Sequence, residues 1–286
     1  MAVTYDTRPD NFAGAHGIIG LAYKSLENAF QMPADTWQNQ YGAGQTYLGT
    51  KADVPTLFDQ LADANLCSNK FAFRVSRSVK CAAQADPAAD PLNSGIFVVG
   101  GGAECTDLYT GPFKPVAIVH EKYYNTNLIS IQVGSQPAIA VAPPAADSQA
   151  VSNSIVDSGA YLLVLDQPVY EQVLASFAAI DPGLAGHLKN FAQYGINGGD
   201  QAVIDLAAWP TITLTLQGSG GADVPLTVEP RDYWQLDANS KGVAVVAICG
   251  DGYMFGGQSL LGLPLFCGKY VVFDRASGVI EFAEGR

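Results

Sequence analysis

Apolar residues in this chain occur mainly in short runs that alternate with polar positions, which is the period of a β-strand. The segment from Thr211 to Leu216 alternates threonine with isoleucine and leucine and predicts a half-buried antiparallel strand. The segment "NLISIQVGSQ" has the same period, with Ile129, Ile131 and Val133 on one face. Three further stretches, "SGIFVVGGG", "GVAVVAICG" and "KYVVFDRASGVIEFAE", predict a buried strand, another strand and a hairpin. The chain is therefore expected to consist mostly of short strands.

Three segments carry the signals of helices instead. "DVPTLFDQLADAN" has Asp53 as a candidate cap and an early proline, and its apolar face is formed by Leu57, Phe58 and Leu61. "DQPVYEQVLASFAAI" places Asp166 before another early proline, and "PGLAGHLKNFAQYG" is expected to end at Gly195. Between these elements, "AVAPPAADSQAVSNS" predicts a polar, proline-rich surface loop.

Composition and charge narrow the classes of protein that fit. With 286 residues, 48% of them hydrophobic and 15% charged, the chain is long enough for a large core and two lobes. The net charge of −12 argues against nucleic acid and anionic membranes as partners, because both bind basic surfaces. No apolar run reaches the ~20 residues of a transmembrane helix, and the first residues do not have the pattern of a signal peptide.

The titratable and nucleophilic residues exclude several chemistries. The five cysteines form no CxxC pair, which argues against a zinc ribbon or a thioredoxin-type site. The three histidines form no HExxH motif, and no GxSxG motif occurs, so zinc-dependent and serine-dependent hydrolysis are unsupported. No metal or other cofactor is expected.

One aspartate stands out by its position. In "SIVDSGAYLLVL", Asp157 follows a short apolar run and precedes Ser-Gly, so a carboxylate lies at a tight turn between two predicted strands. Most Asp-Ser-Gly tripeptides are structural turns. Further along, "SLLGLPL" repeats the apolar–apolar–Gly–Leu pattern of "GIIGLAY" near the N-terminus, with Gly262 and Gly20 in equivalent places.

The order of these segments resembles that of the pepsin-like aspartic endopeptidases. In the C-terminal half, "IVDSG", "WPTITLTLQG", "LTVEPRDYW" and "SLLGLPLFCGKYVVFDRASGVIEFAE" follow the order found in that family. In the N-terminal half, "GAHGIIGLAY", "PTLFDQLADANLCSNKFAF" and "SGIFVVGGGAECTDLYTGPFKPVAI" do the same. The similarity covers nearly the whole chain.

This resemblance implies an all-β, bilobal fold, with residues 1–118 as a partial N-terminal lobe and residues 119–286 as the C-terminal lobe. It implies an endopeptidase in which a water is activated between two aspartates, with Asp157 as the second of them. Ser158, Gly159 and Ala160 would support the loop or contact the substrate. The expected partner is a peptide or protein substrate, the expected state a monomer, and the expected location a secretory, vacuolar or lysosomal-type compartment.

The resemblance also indicates where the other aspartate belongs. Asp157 precedes Gly262 by 105 residues, and the same interval before Gly20 falls ahead of Met1, so the first aspartate loop and its flap are expected to lie outside this sequence. Asp6, followed by Thr-Arg, is a poor substitute because the turn needs glycine. Asp274 is expected to be a turn former or part of a structural ion pair.

Three alternatives remain open at this point. The chain is an aspartic endopeptidase, a non-catalytic binding or inhibitor protein on the same scaffold, or a protein in which two Asp157 loops meet by self-association. A disulfide is also expected, and Cys249 with Cys267 is one possible pair because both are predicted on adjacent strands of the C-terminal lobe. The family's usual bridge in that lobe does not fit these positions, and buried free thiols are the other interpretation.

Overall fold

The computed structural model describes residues 20–26, 30–31, 50–52, 54–146, 148, 150–252, 254 and 256–286. The chain divides into two compact units, residues 1–66 and residues 67–286. The division into lobes at residues 118 and 119 stays a prediction.

The first unit contains an antiparallel pair and one helix in its described part. Strand β1 (Phe30–Gln31) pairs with β2 (Thr50–Lys51), a 3-10 turn spans Lys24–Leu26, and helix α1 spans Leu57–Asp63. The cap of α1 is Thr56, whose hydroxyl accepts the Asp59 N–H at 3.1 Å, and the predicted cap Asp53 lies outside the described residues. Of the predicted apolar face, Phe58 is buried but Leu57 is exposed.

The second unit is built mainly from strands, which confirms the all-β class. Its strands are β3 (Lys70–Val75), β4 (Gly95–Val99), β5 (Tyr109–Ala117), β6 (Asn125–Thr126), β7 (Leu128–Val133), β8 (Ile139–Ala140), β9 (Ser154–Val156), β10 (Leu163–Leu165), β11 (Gly199–Asp200), β12 (Ile212–Leu216), β13 (Val224–Val228), β14 (Trp234–Gln235), β15 (Val243–Val246), β16 (Ile248–Gly250), β17 (Ser259–Leu261), β18 (Lys269–Asp274) and β19 (Val279–Gly285).

The helices of the second unit are few. Its α-helices are α2 (Gln167–Ile180), α3 (Pro182–Lys189) and α4 (Pro230–Tyr233). Short 3-10 helices span Pro87–Ala89, Pro91–Asn93, Gln201–Val203, Leu206–Ala208 and Leu263–Leu265, and a π-helical turn spans Ala192–Asn197.

A five-stranded antiparallel sheet joins early and late parts of this unit, in the order β4-β3-β18-β19-β5. One of its faces buries Ala72, Tyr270 and Val272, and β18 and β19 form the predicted hairpin. The prediction that β4 is buried is wrong, because β4 lies at the sheet edge and Phe97 is 44% exposed.

A second antiparallel sheet, β13-β12-β7-β8, shows the predicted alternation in β12, where the isoleucine and leucines are buried. In β7 the predicted face is partly wrong. The pairing shifts by one residue, so that Leu216 pairs with Leu128 while Thr215 pairs with Ser130. Ile129 is the extra residue and is 38% exposed, whereas Leu128 is fully buried.

Helices α2 and α3 follow strand β10. The side chain of Asp166 does not cap α2 among the described residues; instead Asp251 Oδ1 accepts the N–H of Gln167 at 2.9 Å. Helix α3 ends at Lys189, six residues before the predicted end at Gly195, and the chain continues into the π-helical turn. The apolar face of α2 is buried by Val169, Tyr170, Val173, Leu174 and Phe177.

The predicted disulfide is absent, since all five cysteines are free thiols. Cys249 and Cys267 are not on adjacent strands: Cys249 lies in β16 and pairs with Val164 of β10, whereas Cys267 forms an isolated bridge with Val75. Burial raises the pKa of the Cys249 thiol to about 11 and that of the Cys267 thiol to about 12. Both are inert, buried thiols, as the alternative interpretation held.

Candidate active site

Asp157 lies directly after strand β9, in the five-stranded sheet β16-β10-β17-β9-β6. Strand β9 runs parallel to β17, with Val156 opposite Leu261, and β10 runs antiparallel to β17 on its other side. The Asp157 N–H continues the ladder by donating to the Leu261 carbonyl at 3.1 Å. Both strands that flank the loop therefore pair with the same late strand, β17.

The loop is closed by hydrogen bonds of its backbone, of the Asp157 carboxylate and of Leu263. Asp157 Oδ1 accepts the N–H of Gly159 at 2.8 Å, and the Asp157 carbonyl accepts the N–H of Ala160 at 3.2 Å. The Ala160 carbonyl in turn accepts the N–H of Leu263 at 2.8 Å. Asp157 is thus fixed at the backbone and through one carboxylate oxygen.

Two glycines let the loop close, and both do so through the space they leave rather than through a positive φ. A Cβ on Gly159 would lie 3.1 Å from Asp157 Oδ1, which is tighter than ordinary contacts allow. A Cβ on Gly262 would overlap the carbonyl oxygens of Ala160 and Leu162. Gly262 is therefore the place where β17 passes directly against the aspartate loop.

The Ser158 hydroxyl has no hydrogen-bond partner among the described residues, so its role as a support of the loop stays a prediction. Asp157 and Ser158 are both half-buried and Gly159 is exposed, which leaves one face of the loop open to solvent. Among the described residues, the Asp157 carboxylate accepts only the Gly159 N–H, and this leaves its second oxygen available to a water or a substrate.

A buried polar network, formed by Ser152, Asn153 and Ser154 just before or at the start of β9, was not predicted from the sequence. Asn153, which is 3% exposed, accepts the Leu128 N–H at 2.7 Å and donates to the Leu128 carbonyl at 2.9 Å. The Ser154 hydroxyl donates to the Thr126 carbonyl at 2.9 Å, and the Ser152 hydroxyl donates to the Ser154 carbonyl at 2.7 Å. The end of the predicted surface loop is therefore internal, and it anchors β9 from below.

A pair of neighbouring carboxylates lies at the other end of the same sheet. Asp166 and Asp251 directly follow the parallel strands β10 and β16, in which Leu165 lies opposite Gly250. Burial, and secondly the charge of Asp251, raise the pKa of Asp166. Asp157 adjoins the opposite end of β10, so this pair does not supply the partner carboxylate.

Two other aspartates, Asp274 and Asp6, were considered in the sequence. Asp274 Oδ1 accepts the N–H of Ser277 at 3.0 Å, which confirms that Asp274 forms a turn. Asp6 lies outside the described residues. Within the described ranges, no group of three or more histidine, cysteine, aspartate or glutamate side chains has an arrangement that would hold a metal ion.

Of the helices in the described part of the chain, none has the length and apolar character that a membrane crossing requires.

The chain can also be compared with a known family. The family model for eukaryotic aspartyl proteases matches residues 3–285. The match spans both the Asp157 loop and Gly262, which directly follows β17, so the geometry of this loop and the family assignment agree. The chain is therefore a member of the pepsin-like eukaryotic aspartyl protease family.

Proposed function

We propose that this protein is an aspartic endopeptidase in which Asp157 is one of two carboxylates that activate a water molecule. The observation that carries the proposal is the closure of the Asp157 loop against Leu261 and Leu263 in a chain that matches the protease family over residues 3–285. The other carboxylate is expected from the family's first aspartate loop, which the described residues do not include.

The chemistry follows from two carboxyl groups that share one proton. Like charges at hydrogen-bonding distance do not both ionise readily, so one group holds the proton and the other is a carboxylate. The carboxylate takes a proton from the water, whose oxygen attacks the carbonyl carbon of the peptide bond. The protonated group donates to the carbonyl oxygen. The tetrahedral intermediate then breaks its C–N bond: the departing amine takes the proton that the first carboxylate removed from the water, and a hydroxyl of the intermediate returns its proton to the other group.

The residues after Asp157 would hold it in place for this step. The Gly159 N–H engages one oxygen, so the other oxygen is directed to the water, and the bond between Ala160 and Leu263 keeps the loop closed. Neither metal nor cofactor enters the scheme. The substrate is a peptide or protein, the protein works as a monomer, and an acidic secretory or vacuolar compartment suits its protonation requirement.

The test is acid proteolysis with an isosteric variant. Asp157→Asn should abolish the hydrolysis of denatured protein substrates at pH 3–5, and pepstatin should block the wild-type activity. Asp181→Asn is the matched control, because Asp181 Oδ1 accepts the N–H of Gly183 at 2.7 Å in the same type of turn. Full activity in Asp157→Asn would contradict the assignment of Asp157.

The alternative is a binding or inhibitor protein on the same scaffold. The natural transcript distinguishes the enzyme from the binding protein. An in-frame Asp-(Ser/Thr)-Gly about 105 codons before Gly20 would supply the carboxylate that pairs with Asp157. A natural protein without any hydrolysis that depends on Asp157 would favour the binding function. Self-association through two Asp157 loops would instead appear as a dimer in sedimentation analysis.

A further inference from the structure

A cavity of about 330 Å³ adjoins the segment that follows the Asp157 loop. Its lining includes Tyr161, which lies four residues after Asp157, together with Ser78, Lys80 and Asn239. These four side chains all carry hydrogen-bond donors, and Lys80 adds a positive charge. Among the described residues that line this cavity, none is acidic, although the chain as a whole carries a net charge of −12.

The donors in this cavity are unengaged. Ser78 is 9% exposed, and its hydroxyl is buried without a hydrogen-bond partner in the described part of the chain. A buried hydroxyl without a partner costs stability, which is recovered when a ligand supplies an acceptor. The side chains of Lys80 and Asn239 are exposed, Tyr161 is 47% exposed, and none of the three makes a side-chain hydrogen bond to another described residue.

The segment that carries Ser78 and Lys80 is held in place by hydrogen bonds to backbone carbonyls. Arg77 donates from Nε to the Val79 carbonyl at 3.0 Å and from Nη2 to the Leu236 carbonyl at 2.7 Å. The Lys80 carbonyl accepts the N–H of Asn239 at 3.0 Å. The guanidinium of Arg77 is thus used for positioning, while the ammonium of Lys80 stays available to a ligand.

A second cavity, of about 590 Å³, shares the lining residues Ser78, Val79 and Lys80 with the first. Its lining includes one acid, Asp86, whose Oδ1 accepts the N–H of Ala88 at 3.0 Å as a helix cap. Residues 78–80 therefore border both cavities, and Tyr161 borders the first. Because Tyr161 lies four residues after Asp157, an extended peptide bound at Asp157 would present a more distant side chain to the first cavity.

We propose that the cavity at Ser78, Lys80, Tyr161 and Asn239 binds an acidic side chain of the peptide substrate, at a position removed from the bond that is cleaved. Lys80 selects the carboxylate by charge, and the hydroxyls of Ser78 and Tyr161 donate to it. The proposal rests on the proposed endopeptidase function, and it names Lys80 as a specificity-determining residue for that function.

Peptide binding tests the proposal without requiring catalysis. The probes are acetylated and amidated octapeptides that carry one glutamate at each position in turn, and the same peptides with glutamine. They are titrated into the Asp157→Asn protein at pH 6, where glutamate is ionised. The best glutamate peptide should bind about tenfold more tightly than its glutamine counterpart. At pH 3.5, where most of the glutamate is protonated, this preference should largely disappear.

Variants then assign the effect to named side chains. Lys80→Gln should reduce the glutamate preference to about one, and Lys80→Glu should favour a lysine peptide instead. Ser78→Ala should weaken binding of the glutamate peptide about threefold and leave the glutamine peptide unchanged. Lys189→Gln changes the net charge by the same amount at an exposed helix end and should leave the preference intact.

The outcomes separate this proposal from the enzyme assignment. If Asp157-dependent hydrolysis measured at about pH 5, where most of the glutamate is ionised, shows no preference for glutamate, the acidic-residue proposal is wrong and the enzyme assignment stands. If the glutamate preference depends on Lys80 but no hydrolysis depends on Asp157, the cavity proposal stands and the enzyme assignment fails. Loss of the preference in Lys189→Gln as well would show that it reflects overall charge, and would overturn the role of Lys80.

Discussion

Gly262 packs directly against the carbonyl of Ala160, so the chain at the end of strand β17 contacts the aspartate loop. The contact joins the loop to a strand more than a hundred residues further along the chain. It leaves no room for a side chain, because a Cβ on Gly262 would also overlap the carbonyl oxygen of Leu162.

The first prediction concerns this contact. Gly262→Ala should destabilise the fold by about 2–3 kcal/mol, because the new methyl group must push two carbonyls away. Any activity that depends on Asp157 should fall more steeply than stability, since the loop moves. Gly186→Ala is the control: it lies in helix α3 with open space around it, and alanine there should be neutral or stabilising. Urea unfolding of both variants measures the difference, and equal stability of the two would contradict the prediction.

A second prediction concerns the network below β9. Asn153→Ala removes the partners of the Leu128 N–H and carbonyl and should cost about 3 kcal/mol of unfolding free energy. Asn127→Ala removes only an exposed hydrogen bond to Gln217 and should cost less than about 1 kcal/mol. Thermal and urea unfolding provide the comparison. A small loss in Asn153→Ala would mean that the network contributes little to the position of β9.

A third prediction concerns pH. Burial raises the pKa of Asp232 to about 6, against which the positive charges of Lys269 and Arg231 act only partly. Because the folded state holds this proton more tightly than the unfolded state, the stabilisation is complete below about pH 3.8. It is lost as the pH rises to about 6. Asp232→Asn keeps an oxygen for the Glu229 N–H but cannot ionise.

The variant should therefore match the wild type in stability at pH 3.5 and exceed it by up to about 3 kcal/mol at pH 7. Unfolding free energies of both proteins across pH 3.5–7 check this. Parallel pH profiles would show that Asp232 does not carry the dependence.

A fourth prediction concerns the thiols. Alkylation of the native protein at pH 8, without a reductant, should modify Cys67 and Cys105, which are partly exposed. It should spare Cys81, Cys249 and Cys267, which are buried. The raised pKa values of Cys249 and Cys267 keep these two protonated as well. After unfolding in urea all five should react. Mass spectrometry counts the labels, and fewer than five labels in urea would reveal a disulfide.

Much of this fold could be predicted from the sequence because its signals are local. The alternation in β12 and the turn of the late hairpin depend on neighbouring residues, and both were predicted correctly. The Asp-Ser-Gly turn and the apolar–apolar–Gly pattern indicate Asp157 and Gly262 from neighbouring residues alone. The order of segments in the family then indicated that Asp157 and Gly262 belong to the same lobe.

The errors arose where distant residues decide the outcome. Ile129 is exposed because of a register shift against Thr215 and Leu216, and Phe97 is exposed because β4 has a neighbour on one side only. The polar residues before β9 are typical of a surface loop, and only the partners supplied by β6 and β7 make them internal. Local patterns cannot reveal such partners.

The parallel pairing of β9 with β17 has a consequence for synthesis. On the ribosome, Asp157 emerges long before Leu261, so a nascent chain holds the aspartate but lacks the strand that receives its N–H. Pairing over so long a separation is also slow to form. The carboxylate is therefore set in its final geometry only near the completion of translation, and a chain that stops before residue 259 would carry the motif without its geometry.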